Sequence, residues 1–389
     1  MTRRLLVAQV VTRFTAGAGG VALRGALALD PDIYETVFVT GEGDRLVREA
    51  RDAGLEVVLM PRLRSDIAPA DDRRVLADLQ AFVRGFDVVH THSSKAGVLG
   101  RTAAHRTQVG RIVHTFHGFP FHQFQSGLRR AAYIWIERRV GKFTDAFLAV
   151  GPAVAAEAIT RGIAPPERVR TIGIGADTAA PQPGPRERAE ARRLLGAPPG
   201  MRVVGTVGRL TFQKAPDDFV AALAALRRDD VFGVWIGDGE LRAKTERLAA
   251  RHGLRGRMFF AGERSDVAAL LPGLDLFAMA SRYEGLPCAI VEAMTAGLPV
   301  VATAVNAVPN VVVAGETGLL APPGRPELLA RAMEYLLDNP AVAARLAATA
   351  RKRLGEDLTQ SALGEVLAQT YQATPSDASR LAGRELAAS

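Results

Sequence analysis

Thr178-Ala-Ala-Pro-Gln-Pro-Gly-Pro185 and, after a short charged stretch that reads as a helix, Gly196-Ala-Pro-Pro-Gly200 break the chain into two halves. Proline fixes φ and lacks an N–H, and glycine accommodates turns, so this composition ends regular structure. The same pattern runs on both sides of the break. Before it, apolar runs at residues 5–11, 36–40, 56–60, 87–91, 111–115 and 146–150 alternate with amphipathic stretches at 21–29, 44–53, 71–84, 96–105 and 127–142. After it, runs at 202–207, 232–236, 257–260, 274–279 and 299–304 resume the alternation, and residues 326 to about 371 read as largely helical. Continuous Val/Ile-rich runs separated by helices predict parallel strands covered on both faces. The expected class is α/β: two Rossmann-like, doubly wound domains at 1–180 and 201–389, joined by a linker at 181–200. The C-terminal helices are able to pack back on the N-terminal domain. Ligands of such sheets sit beyond the carboxyl ends of the strands, so two facing domains place the site in the cleft between them.

A chain of 389 residues suits two domains, and 48% hydrophobic with 23% charged residues is ordinary for a globular enzyme. No apolar run approaches the roughly 20 residues that span a bilayer. Met1-Thr2-Arg3-Arg4 ahead of the run 5–11 superficially resembles a signal peptide, but no small-residue cleavage site follows and a buried first strand is expected. Cys288 is the only cysteine, which excludes an intrachain disulfide framework and fits a reducing cytoplasm. The net charge is +8. Residues 1–180 hold 24 Lys and Arg against 18 Asp and Glu, and the remainder 25 against 23. The excess is either a solvated basic surface or a face for something anionic, such as a membrane or a phosphorylated lipid. No basic cluster interleaved with aromatics points to nucleic acid.

Ser281-Arg-Tyr-Glu-Gly-Leu-Pro-Cys-Ala-Ile-Val-Glu-Ala-Met-Thr-Ala-Gly-Leu-Pro-Val-Val-Ala-Thr303 carries the most chemistry. Pro287 can open a helix and Gly297 can close it, leaving Glu284 in the preceding loop and Glu292 inside the helix. Carboxylates so placed can hold the hydroxyls of a polyol, although for two isolated glutamates a surface role and a structural role are the commoner explanation. A second segment, Gly205-Thr-Val-Gly-Arg-Leu-Thr-Phe-Gln-Lys-Ala-Pro-Asp-Asp-Phe219, ends a strand in glycine and adds Arg209 and Lys214 five positions apart. A diphosphate would lie there, and fixed cations act most strongly on charge that grows in a transition state. A third, Trp235-Ile-Gly-Asp-Gly-Glu240, contains Gly237, Asp238 and Gly239, and Ala261-Gly-Glu-Arg264 ends the following strand.

These segments resemble the retaining glycosyltransferases of family 4, in their polysaccharide-assembly branch. The Glu-x7-Glu motif, its Glu-Gly-Leu-Pro loop and the Gly-Arg-x-x-x-x-Lys element all match, and the likeness extends over about residues 5–355. It implies the two-domain GT-B fold, with acceptor on the N-terminal side and nucleotide-diphosphate sugar, UDP-linked, on the C-terminal side. It further implies that Glu292 binds the ribose and Glu284 the donor sugar, with Gly285 and Leu286 in the same pocket. Gly208, Arg209 and Lys214 would grip the leaving diphosphate. Gly237, Asp238, Gly239 and Arg264 would approach the nucleotide. The family loop Gly-Gly-x-Pro-Glu is replaced here by Asn306-Ala-Val-Pro-Asn310.

In the first half, Gly17-Ala-Gly-Gly20 lies between the first strand and the first helix, so Gly19 and Gly20 could offer backbone N–H groups to the donor phosphate. Six of the seven histidines fall between residues 90 and 122. Zinc is disfavoured, because nearby carboxylate ligands are missing. By resemblance His117, before a glycine, meets the donor sugar near the reaction centre, and His92 and Lys95 join it on the acceptor side; packing explains His90 and His92 equally well. Asp30-Pro-Asp32 reads as a turn, so no metal and no cofactor are implied.

The expected reaction is retaining transfer of a hexose or N-acetylhexosamine to a polyprenyl-diphosphate-linked glycan or polysaccharide acceptor in cell-surface glycan synthesis. The enzyme would be cytoplasmic and peripheral on the inner face of the membrane. The helix at 127–142, with Arg129, Arg130, Arg138, Arg139 and Tyr133-Ile-Trp-Ile136, and four phenylalanines between Phe116 and Phe124 would dock there. A nucleotide-sugar epimerase should lack the Glu284/Glu292 segment. A nicotinamide dehydrogenase needs a tighter first turn, and a non-catalytic sugar-nucleotide binder is expected to have lost Arg209, Lys214 or Glu284.

Overall fold

The structure is a computed structural model that describes residues 3–15, 17–175, 182–285, 287–355 and 358–373. It divides into two compact units, 1–175 with the last helix, and 176–356.

The first unit is built on seven strands: β1 (Leu5–Arg13), β2 (Tyr34–Glu42), β3 (Glu56–Leu59), β4 (Val88–His92), β5 (Arg111–Phe116), β6 (Ala146–Ala149) and β7 (Val169–Thr171). All pairs are parallel, in the order β3-β2-β1-β4-β5-β6-β7. Val7 to Val11 is buried along both faces of β1, which is why the run lacks strand alternation. Val10, Val39, Leu79 and Ala103 belong to one core layer, and Val11, Phe38, Leu23 and Leu46 to another.

The second unit repeats the plan with β8 (Arg202–Val207), β9 (Val231–Ile236), β10 (Met258–Gly262), β11 (Leu276–Met279), β12 (Val300–Thr303) and β13 (Leu319–Ala321). These too are parallel, in the order β10-β9-β8-β11-β12-β13. In both sheets the order turns back on itself at one place, between β1 and β4 and between β8 and β11. Those two crevices are where a doubly wound sheet takes ligands.

The start of the first helix and two short strands differ from expectation. The last helix, Gln360–Gln372, groups with the first unit, the packing-back open to the C-terminal helices. It packs on the helix Ala18–Leu27 because small residues allow close approach: a Cβ on Gly25 would lie 2.7 Å from Leu367 Cδ1, and one on Gly364 2.7 Å from Ala28. The short charged stretch within the expected linker is helical. Its helix Pro185–Leu194 joins the second unit through Arg188 and Arg192, which hold Asp275 at 2.6 and 3.1 Å. The first helix begins at Ala18, so Gly19 and Gly20 lie in its first turn instead of a preceding loop. Strands β7 and β13 went unread because three residues are too few to show a period.

Candidate functional site

The second crevice brings the two strongest motifs together. Strand β8 ends at Val207 and releases the loop 208–215; β11 ends at Met279 and releases Ser281 to Gly285. Lys214 Nζ lies 2.5 Å from Glu284 Oε1, and Ser281 Oγ donates to the same oxygen at 2.6 Å. Gln213 donates to Glu284 Oε2 at 3.3 Å. Glu284 is 9% exposed, so its carboxylate is held in one position by three donors. A single charge pair with this geometry gives a polyhydroxy ligand a fixed acceptor beside a fixed cation.

The two loops are stapled by Arg282, a residue that motif reading passed over. Its backbone N–H donates to Gln213 O at 2.8 Å, and its guanidinium donates to Phe212 O at 2.9 Å and to Asp217 at 2.7 Å. The guanidinium carbon sits 4.6 Å from the centroid of the Phe212 ring, a cation–π arrangement. Its position beside Ser281 was the available signal. Asn306 was also missed, although it was noted as the departure from the family loop. Its backbone φ is 43°, a left-handed conformation that asparagine tolerates, and its Oδ1 accepts the Glu284 N–H at 3.0 Å. The residue that replaces a family glycine therefore anchors the loop that carries Glu284.

Arg209 is exposed and lies near enough to Tyr283 to act on its phenol electrostatically. Gly208 donates its N–H to Ile236 O at 2.9 Å. Glu292 is half-buried on the helix Cys288–Thr295, which Gly297 ends at φ 76°. Gly285 is half-buried in the loop. Leu286 lies outside the described residues.

Four residues expected near the nucleotide also make contacts within the protein. A Cβ on Gly237 would lie 2.1 Å from Gly208 O, and one on Gly239 2.6 Å from Leu210 O, so these glycines admit the neighbouring loop of the protein itself. Asp238 accepts the Gly239 N–H at 2.7 Å and pairs with Arg242 at 2.9 Å, which holds its carboxyl below the usual range. Arg264 donates from Nε and Nη2 to the two Asp266 oxygens, at 2.8 and 2.6 Å.

In the first unit the crevice between β1 and β4 receives the N-terminus of the helix Ala18–Leu27 on one side and His92 to Lys95 on the other. Ala18, Gly19 and Gly20 are its first three residues, whose N–H groups have no partner within the helix. His117 follows β5, and its Nε2 is 2.9 Å from His92 Nδ1. Burial lowers the pKa of His117 to about 3 and of His92 well below its usual value, so both rings are neutral. His92 Nε2 bonds Gln9 Oε1 at 2.7 Å. Both nitrogens of His92 are thus engaged inside the protein, where the ring supports His117. Lys95 likewise pairs with Asp72 at 2.5 Å and donates to Asp66 O. The Asp72 carboxylate holds this ammonium in place. His90 bonds Tyr371 and Thr115. Asp30 Oδ1 accepts the Asp32 N–H at 2.9 Å and forms a turn. Among the described residues no group of three or more His, Cys, Asp or Glu is placed to hold a metal ion.

Residues 15–180 match the family described as Glycosyltransferase Family 4, and residues 187–353 match Glycosyl transferases group 1. The chain is 31% identical to the UDP-Gal:alpha-D-GlcNAc-diphosphoundecaprenol alpha-1,3-galactosyltransferase of Escherichia coli, over 66% of this chain and 68% of that one. It is 30% identical to the D-inositol 3-phosphate glycosyltransferase of Salinispora arenicola, over 98% of this chain and 88% of that one. Its fold is that of Anabaena HepE, solved in complex with UDP and glucose: TM-score 0.83 at 20% identity, over 94% of this chain and 99% of HepE. The lipopolysaccharide glycosyltransferase WaaG superposes with a TM-score of 0.77 at 22% identity, over 95% of this chain and 100% of WaaG. The two parallel sheets, the paired motifs and these relatives agree: the chain is a glycosyltransferase of family 4 with the GT-B fold.

Proposed function

We propose that the protein transfers a hexosyl or N-acetylhexosaminyl group from a UDP-sugar to a polyprenyl-diphosphate-linked or polysaccharide acceptor, with retention and without a metal ion. The observation that carries this reading is the Lys214–Glu284 pair at the carboxyl ends of β8 and β11. The E. coli relative's name supplies the lipid-diphosphate acceptor, and the HepE complex supplies UDP.

The sugar C1–O bond to the diphosphate breaks as a bond from C1 to the acceptor oxygen forms on the same face. The acceptor proton passes to an oxygen of the departing diphosphate. Charge growing on that diphosphate is met by Arg209 and Lys214, so side chains take the place of a metal. Glu284 accepts from hydroxyls of the donor sugar, Glu292 from the ribose, and His117 contacts the sugar near C1.

We place the protein on the inner face of the cell membrane, with the helix Gly127–Gly141 as the contact. Leu128 is 85% exposed, Trp135 64% and nearby Phe124 49%, beside exposed Arg129 and Arg139. Exposed apolar side chains flanked by arginines suit an anionic lipid surface. The phenylalanines are a weaker part of this contact than their spacing implied. Phe116 and Phe121 are buried and both pack on the Phe119 ring. No helix among the described residues is long and apolar enough to cross a membrane.

The direct test is a screen of nucleotides and nucleotide sugars for a ligand-induced rise in melting temperature, since anything that binds only the folded state stabilises it. UDP and one or more UDP-sugars should raise it in excess chelator. A response confined to nucleotides other than UDP would overturn the donor assignment.

A further inference from the structure

The last helix delivers Tyr371 into the core of the first unit, where it is 4% exposed. Its hydroxyl lies 2.6 Å from His90 Nδ1 and accepts from Gln9 Nε2 at 2.9 Å. Gln9 Oε1 is 2.7 Å from His92 Nε2, and His92 Nδ1 is 2.9 Å from His117 Nε2. His90 Nε2 closes the other branch on Thr115 Oγ1 at 2.7 Å. Gln9, His90, His92 and Thr115 are each at most 2% exposed. Burial keeps the imidazoles neutral and the Tyr371 phenol protonated.

A neutral imidazole has one N–H and one lone pair, so each bond fixes the direction of the next. The Gln9 carbonyl can only accept, which puts the His92 proton on Nε2. His92 Nδ1 must then accept, which puts the His117 proton on Nε2. On the other side the Gln9 amide fills a lone pair of the Tyr371 hydroxyl, whose proton goes to His90 Nδ1, and His90 Nε2–H donates to Thr115. No member carries a charge, so the chain orders His117 without burying an ion.

We propose that Tyr371 is a positioning residue for His117, acting through Gln9 and His92 to fix its Nε2–H tautomer and leave Nδ1 as the ring's one acceptor. This rests on the reading of His117 as a site residue. With Nδ1 as acceptor, His117 receives a hydrogen bond from a sugar hydroxyl; the opposite tautomer presents a donor there.

Long-range proton–nitrogen correlation spectra of the full chain, labelled with 15N-histidine, read the tautomer directly. His117, identified by the signals lost in His117→Ala, should be protonated at Nε2 alone. Tyr371→Phe removes one oxygen and Gln9→Leu cuts the chain. Each should give a mixture of tautomers and lower kcat roughly 10–100-fold, the scale of a misplaced site group, with donor KM little changed. A proton on Nδ1 in the native protein, or an unchanged tautomer and kcat in both variants, overturns the relay. Tautomer changes as expected together with wild-type transfer by His117→Ala would uphold the relay and overturn the site reading of His117.

Discussion

Glu284 shows how one side chain is prepared for its work. Lys214, Ser281 and Gln213 converge on its carboxylate while Asn306 holds its backbone N–H. Removing Lys214 or Arg209 should therefore lower turnover by roughly 10²–10³-fold each, the cost of one charge-stabilising donor. Steady-state kinetics on Lys214→Ala and Arg209→Ala checks this, and near-native rates in both would remove them from the reaction. Glu292→Ala should weaken UDP binding, whereas Glu284→Ala should mainly slow transfer. Equal affinity losses by calorimetric titration would contradict that division. Asn306→Gly keeps the left-handed conformation and deletes one hydrogen bond, worth about 0.5–1.5 kcal/mol. It should raise donor KM while leaving UDP affinity alone, and the ratio of the two is the measurement.

Among the elements, the helix Gly127–Gly141 carries the membrane assignment, since only Glu137, Val140 and Gly141 are buried in it. Flotation with anionic liposomes at low salt should recover the protein, and Arg129→Glu with Arg130→Glu should release it; basic residues contribute about 1 kcal/mol each near such a surface. Recovery unchanged by the double substitution would mean that this helix is not the contact. Strand and helix order was readable from the chain because buried parallel strands write themselves as continuous apolar runs. The Ser281–Thr303 and Gly205–Phe219 segments were readable because local motifs carry them. What escaped depends on distant partners. Tyr371 is 362 residues from Gln9, and no spacing announces that pair. Nor does any spacing announce the pairing of Lys95 with Asp72. Gly237 reads as a close backbone approach, and one partner of that approach is Gly208, 29 residues earlier in the chain.

For the molecule as a whole, four buried histidines set a pH limit. Burial pushes His90 to about 3 and lowers His92, His114 and His117, while unfolded histidines titrate near 6.5. Below pH 6.5 the unfolded chain binds more protons, so stability is fully present above that pH and is lost as pH falls. Each such histidine contributes a slope of about 1.4 kcal/mol per pH unit. Urea midpoints should drop between pH 7 and pH 5, and His114→Asn should flatten the drop; a midpoint independent of pH would contradict it. The central claim is that side chains alone drive retaining transfer from a UDP-sugar to a lipid diphosphate acceptor. It is tested by incubating the protein with α-configured UDP-sugars and polyprenyl-diphosphate-linked N-acetylglucosamine in excess chelator, then reading the new linkage by NMR. The account predicts an α-linked product and free UDP. A β-linked product, a requirement for added magnesium or manganese, or turnover of UDP-sugar to its epimer without transfer would contradict it.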